Sequence, residues 1–141
     1  MTIGYTSGVF DLFHVGHVNL LRNARAMCDK LVVGVTVDEL VLYKGKKAVI
    51  PYHDRIEVVR SCRYVDVAIP QKNMNKADAA QKNQANYLFV GDDWYNTPEW
   101  KTHEKNLATI GCSVIYFPYT EGTSSTLLNE TLVYLRSDGA S

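Results

Sequence analysis

Two rhythms alternate along this chain. Runs rich in Val, Ile, Tyr and Phe predict strands over 3–8 (IGYTSG), 30–37 (KLVVGVTV), 64–70 (YVDVAIP), 87–91 (YLFVG) and 112–118 (CSVIYFP). Between them, apolar residues recur at helical spacing. Val18, Leu21, Ala24 and Cys28 share one face of a helix over 15–27. Pro51, favoured in a first turn, opens a helix over 51–62, and a weaker helix covers 76–84. Pro98 and Gly111 bracket a helix over 97–111, and Leu128, Leu132 and Leu135 form a stripe on a last helix over 124–135. The 30–37 run is β-branched without alternation, as expected of a strand buried on both faces. Pro70 is expected to stop the third strand.

This β-α-β-α order predicts an α/β fold: a mostly parallel five-stranded sheet with helices on both faces. In such folds ligands gather beyond the carboxyl ends of the strands. Function is therefore expected in 8–17, 38–47, 91–94 and 119–125. No internal repeat or low-complexity linker interrupts the pattern. A single domain over 1–141 is expected, with 136–141 (RSDGAS) a frayed tail.

Composition narrows the classes. Of 141 residues, 46% are hydrophobic and 21% charged, as in an ordinary globule rather than a disordered chain. Fifteen basic residues balance fifteen acidic ones. A general nucleic-acid binder is usually basic, so no nucleic-acid partner is expected and any basic site must be local. No apolar run approaches the length of a membrane span, and the N-terminal MTIGYTSG lacks the features of a signal peptide. No membrane partner and a cytoplasmic location are the expectation. Cys28, Cys62 and Cys112 are odd in number, far apart and flanked by apolar residues, which reads as reduced, buried thiols.

The chemistry concentrates in GVFDLFHVGH, residues 8–17. His14 and His17 flank Gly16 where the first strand gives way to the first helix. A helix N-terminus attracts phosphate through free N–H groups and partial positive charge. Gly16 would let the backbone approach closely. A protonated or hydrogen-bonding imidazole can meet charge on a transferring phosphoryl group. The alternative is a pair of capping or packing histidines. A zinc site is disfavoured because H-x-x-H lacks the glutamate of H-E-x-x-H. Neither a Walker A loop nor G-x-G-x-x-G occurs, so phosphate would be held by another route.

GVFDLFHVGH resembles the G-x-F-D-x-x-H-x-G-H motif of the cytidylyltransferases, within the H-x-G-H nucleotidylyltransferase superfamily. The resemblance continues in order through KGKK, YHDR, CRYVD, VGDDW and TEGTSST, covering about Tyr5 to Leu128. It implies a Rossmann-like, doubly wound enzyme that transfers CMP from CTP to a small phosphorylated alcohol and releases pyrophosphate. Length and GDDW look most like the bacterial members acting on glycerol-3-phosphate; GVFDLFH and CRYVD also resemble the choline-phosphate members. By this resemblance His14, His17, Lys44, Lys46 and Arg63 are catalytic. Val9, Phe10, Gly16, Asp93, Thr120, Ser124 and Ser125 would bind the nucleotide, and Asp11, Arg55 and Trp94 the acceptor. Asp11 could equally hold the loop, Trp94 could be core, and Arg55 could pair with Asp54, Glu57 or Asp66 on the surface. A flexible Gly45 between Lys44 and Lys46 would suit a loop closing over anions. No residue is assigned as a metal ligand; Mg²⁺ is expected to arrive on the triphosphate. A homodimer is expected.

The chain departs from the resemblance at Tyr119, where an arginine is expected, and at Thr123, where an isoleucine is. A neutral tyrosine cannot replace a bidentate guanidinium, so another cation, such as Lys72 or Lys44, would have to compensate. The alternatives are a phosphocholine or phosphoethanolamine acceptor, with Trp94, Tyr95 and Trp100 walling a quaternary ammonium; an adenylyltransferase acting on a sugar phosphate or FMN; and a non-catalytic nucleotide-binding domain.

Overall fold

A computed structural model describes residues 1–118 of the chain. In chain order the elements are β1 (Ile3–Gly8), α1 (Val15–Ala26), β2 (Lys30–Thr36), α2 (Asp38–Tyr43), α3 (Tyr52–Ser61), β3 (Val67–Gln71), α4 (Lys76–Lys82), β4 (Tyr87–Gly91), a 3₁₀ turn (Asp92–Trp94), α5 (Pro98–Ala108) and β5 (Ser113–Phe117). The five strands form one sheet in the order β3-β2-β1-β4-β5, and every pair is parallel. The α/β reading with a doubly wound parallel sheet is what the structure has. The chain winds outward from β1 to β3, then returns to lay β4 beside β1. That reversal opens a crevice at the carboxyl ends of β1 and β4.

Alternation along the strands sends side chains into two cores. On one face Leu31, Val33, Val35 and Phe89 pack with Leu21 and Ala24 from α1, with Cys28 just beyond it, and with Ile56 and Val59 from α3. On the other, Tyr5, Val32, Leu88 and Val90 pack with Ala80, Trp100 and Leu107 from α4 and α5. Because β2 is buried on both faces, its sequence shows no polar alternation.

Four expectations change. Pro70 does not stop β3 but lies inside it, opposite Val35. β3 is an edge strand, where a residue without an N–H is tolerated. Residues 64–66 are not strand: Asp66 accepts the Leu31 N–H at 2.7 Å and pairs with Arg25 at 2.9 Å. The helix α2 was not foreseen, since six residues are too few to display helical periodicity. Cys28, Cys62 and Cys112 are free thiols, but only Cys28 and Cys112 are fully buried; Cys62 is half-buried. The helix expected over 124–135 lies outside the described residues. Among the described residues no helix is long and apolar enough to cross a membrane.

Candidate active site

The loop between β1 and α1 is strained. Phe10 and Leu12 hold φ of 54° and 49°, in the left-handed region that non-glycine residues seldom adopt. Three contacts impose that path. The Phe10 ring is buried in the first core. The Asp11 carboxylate accepts the Val49 N–H at 2.8 Å and the Ile50 N–H at 2.9 Å. Arg55 donates to the Val9 carbonyl at 2.7 Å. Asp11 thus ties the loop to the segment ahead of α3, the loop-holding alternative of its two roles.

The loop ends at His14, the N-cap of α1. His14 Nδ1 accepts the Gly16 N–H at 3.0 Å, and His17 Nδ1 accepts the His14 N–H at 3.1 Å. Together these make a reciprocal capping box of two imidazoles. The Gly16 N–H is therefore occupied by His14 rather than free for phosphate. Capping and chemistry are compatible here, because the capping bonds use Nδ1 of each ring. An Nδ1 that accepts leaves the ring hydrogen on Nε2. The rings stack at 4.0 Å, and Phe13 stacks on His17 at 5.2 Å. Burial, then the neighbouring His14, pushes the His17 pKa down to about 4, with Asp11 pulling weakly the other way; burial also lowers that of His14. Both are neutral at pH 7, and their Nε2–H groups are donors.

Cations gather at the same sheet end. Lys44 and Lys46 follow α2, and Gly45 between them is left-handed at φ 76°. The Lys46 N–H bonds Val41 O at 3.1 Å and the Gly45 N–H bonds Leu42 O at 2.9 Å, a Schellman cap. Gly45 thus ends α2. Lys44 is exposed overall, yet its ammonium sits in a crowded neighbourhood; burial and then Lys46 lower its pKa. Sequence reasoning missed Lys76, the first residue of α4. Burial and then Lys44 lower its pKa while Asp93 raises it, which places its ammonium within electrostatic reach of both. One signal was present: a lysine at the first helical position opposes the helix dipole, so another demand must put it there.

The other expected residues scatter. Arg55 is fully buried, and its guanidinium is committed. It donates to Ile50 O at 2.8 Å, Val9 O at 2.7 Å, Thr36 O at 2.8 Å and Asp38 Oδ1 at 2.6 Å. Its carboxylate partner is Asp38, not Asp54, Glu57 or Asp66, and these bonds leave it little to offer an acceptor. Asp38 also accepts the Tyr52 N–H at 3.0 Å. Burial works against that carboxylate, but these hydrogen bonds and the Arg55 charge outweigh it and hold its pKa below the usual range. An apolar hollow of about 470 Å³ beside Arg55 is lined by Phe10, Leu12, Phe13, Ile50 and Val58, and among the described residues it has no uncommitted cation to hold phosphate.

Arg63 follows the C-cap of α3. It lies exposed against Tyr64, donating to the hydroxyl at 2.9 Å, and Arg22 of α1 faces the same ring. Arg22 is seven residues beyond the start of α1, roughly 10 Å along the helix from the imidazoles. Asp93 is exposed after β4. Trp94 is 40% exposed and leans on Trp100, which is itself buried and so unavailable as an aromatic wall. Lys72 is exposed. Thr120, Ser124 and Ser125, with Tyr119 and Thr123, lie outside the described residues.

Comparison with known proteins agrees with this architecture. The model of the cytidylyltransferase-like family matches residues 5–133. The chain is 38% identical over 132 residues to a glycerol-3-phosphate cytidylyltransferase of Bacillus subtilis, covering 92% of this chain and 96% of that one. It is likewise 38% identical over 128 residues to the Staphylococcus aureus protein of the same name, covering 90% and 92%. A solved lipopolysaccharide core biosynthesis protein of Thermoplasma volcanium shares the fold, with a TM-score of 0.71 at 22% identity over 87% of this chain and 99% of that one. A parallel sheet reversing direction at β1 and β4, paired imidazoles at that crevice and a match over nearly the whole length lead to one assignment: the chain belongs to the cytidylyltransferase-like family, and is a nucleotidyltransferase.

Proposed function

We propose that this protein transfers CMP from CTP to glycerol-3-phosphate, giving CDP-glycerol and pyrophosphate. The observation that carries this reading is the imidazole pair: two neutral, stacked rings at the end of β1 whose Nδ1 atoms are locked on backbone N–H groups, so that each ring carries its hydrogen on Nε2. The acceptor comes from the two bacterial relatives, whose names specify it.

An acceptor phosphate oxygen attacks the α-phosphorus in line. The bond from that phosphorus to the oxygen bridging the β-phosphate breaks, and pyrophosphate leaves with the electron pair. No covalent enzyme intermediate forms, so catalysis is positioning and charge stabilisation. His14 and His17 donate to oxygens whose negative charge grows in the transition state; being neutral, they need lose no proton to do so. The strained, pinned loop holds these donors in place before substrate arrives, so little reorganisation is needed during reaction. Lys44, Lys46 and Lys76 neutralise the phosphates, and Lys76 is our candidate for the cation that offsets Tyr119. Among the described residues no group of three or more His, Cys, Asp or Glu side chains converges. A Mg²⁺ entering here would take its oxygens chiefly from the triphosphate that carries it.

We further propose a homodimer. Within its own chain Arg63 lies against Tyr64, whose ring Arg22 of α1 also faces. We assign its phosphate role to the site of a second copy. Sedimentation at several concentrations tests the dimer, and Arg63→Ala tests the arginine.

Pyrophosphate release decides the substrates. CTP or ATP is offered with glycerol-3-phosphate, phosphocholine or phosphoethanolamine. Turnover with CTP and glycerol-3-phosphate is expected; turnover with phosphocholine alone, or with ATP in place of CTP, overturns the assignment.

A further inference from the structure

The second core contains a polar string that its packing does not require. Tyr5 is fully buried, and its hydroxyl donates to Gln71 Oε1, also buried. Burial raises the Tyr5 pKa well above its ordinary value, so the hydroxyl stays a donor at every working pH. Gln71 Nε2 donates to Asn73 O at 2.7 Å. Asn73 Oδ1 then accepts the Asn75 N–H at 2.9 Å, and Asn75 Oδ1 accepts the Asp78 N–H at 2.9 Å, capping α4. The string runs from the centre of β1, across β2, to the turn that delivers Lys76.

Its route needs a gap in β2, and Gly34 supplies it. A Cβ there would overlap the Tyr5 hydroxyl and lie 3.0 Å from Gln71 Oε1. A phenylalanine at position 5 and an aliphatic residue at 71 would fill the same space without burying a hydroxyl and an amide, which is costly unless both are bonded. The turn otherwise leans on its own asparagines, while Gln71 ties it to the sheet. The Gln71 carbonyl also accepts the Val37 N–H at 3.1 Å, so the same residue registers the turn against the segment leading to Lys44.

We propose that Tyr5 and Gln71 are positioning residues that set the β3–α4 turn, and with it the Lys76 ammonium, against the phosphates of the reacting substrates. This rests on the place given to Lys76 above. Two measurements test it on the intact protein. Amide hydrogen exchange of Tyr5→Phe reads the string itself: faster exchange at Asn75 and Asp78 is expected, and unchanged exchange there overturns the proposal. Steady-state kinetics with CTP and glycerol-3-phosphate then close a double-mutant cycle. Lys76→Ala should lower kcat/KM by about 10–100-fold, the scale of a hydrogen bond to a charged group. Tyr5→Phe should lower it by about tenfold, within the range of a small misplacement. In the Lys76→Ala background the Tyr5→Phe loss should vanish. A Tyr5→Phe loss that persists there, as general loosening would cause, overturns the positioning role while leaving Lys76 in place. Wild-type rates in Lys76→Ala overturn both.

Discussion

Replacing Arg55 by lysine separates a structural guanidinium from a substrate-binding one. Arg55 is 1% exposed and donates to three backbone carbonyls and one carboxylate, at 2.6 to 2.8 Å. Those acceptors belong to the β1–α1 loop, the end of β2, the start of α2 and the segment before α3, so one planar fork joins the walls of the site. Lysine keeps the charge but has a single nitrogen with three donors in tetrahedral geometry, and cannot span four acceptors spread around a plane. If it retains two, two charge-assisted bonds are lost, at about 1.5 kcal/mol each. We therefore expect Arg55→Lys to lose about 3 kcal/mol, a substantial share of the roughly 5–15 kcal/mol of a typical domain. Asp38 is partly exposed, so water offsets some of the loss on that side. Urea unfolding followed by circular dichroism should show a lower midpoint at unchanged slope. Steady-state kinetics on the folded fraction complete the test. Unchanged stability with a tenfold rise in the glycerol-3-phosphate KM would refute the reasoning, since it would mean that the guanidinium binds acceptor.

The remaining predictions concern the same loop and the strand beneath it. His17→Ala should lower kcat by about 10²–10³-fold, the scale of one lost transition-state donor; near-wild-type turnover would remove His17 from the chemistry. Because the folded His17 pKa is near 4 and the unfolded value is 6.5, the unfolded chain binds the extra proton between those limits. Stability due to neutral His17 is thus complete above pH 6.5 and lost as pH falls toward 4. His17→Gln should flatten that part of the stability profile, measured by thermal unfolding at stepped pH. Asp11→Asn turns one of two acceptor oxygens into a donor facing a main-chain N–H; a loss of about 1–3 kcal/mol and faster exchange of the Val49 and Ile50 amides should follow. Gly34→Ala should cost about 1–3 kcal/mol by overpacking against the Tyr5 hydroxyl, read in urea, with partial recovery in the Tyr5→Phe background.

Much of the fold was legible. The strands read at 3–8, 30–37 and 87–91 match β1, β2 and β4 to within a residue, from runs rich in β-branched and aromatic residues, and the α1 and α5 spans follow from apolar spacing and from Pro98 at the helix start. What failed was local evidence that tertiary context overrode. Pro70 reads as a stop until β3 is known to be an edge. Arg55 reads as an acceptor-binding cation, or as a surface one because it lies among charged neighbours in sequence, until its helix is seen to close over the end of β2.

The chain by itself determined the alternation of elements, the two-faced burial of β2 and the imidazole pair at the first strand-to-helix turn. Those features depend on residues within a few positions of one another, so spacing and turn chemistry suffice to read them. Only the tertiary structure decided which charges meet. Arg55 reaches a carbonyl 46 positions away, Tyr5 reaches an amide 66 positions away, and Lys76 comes within reach of Lys44 and Asp93. Each meeting depends on the strand order β3-β2-β1-β4-β5, a consequence of how the two cores fill, and no local window of sequence contains it.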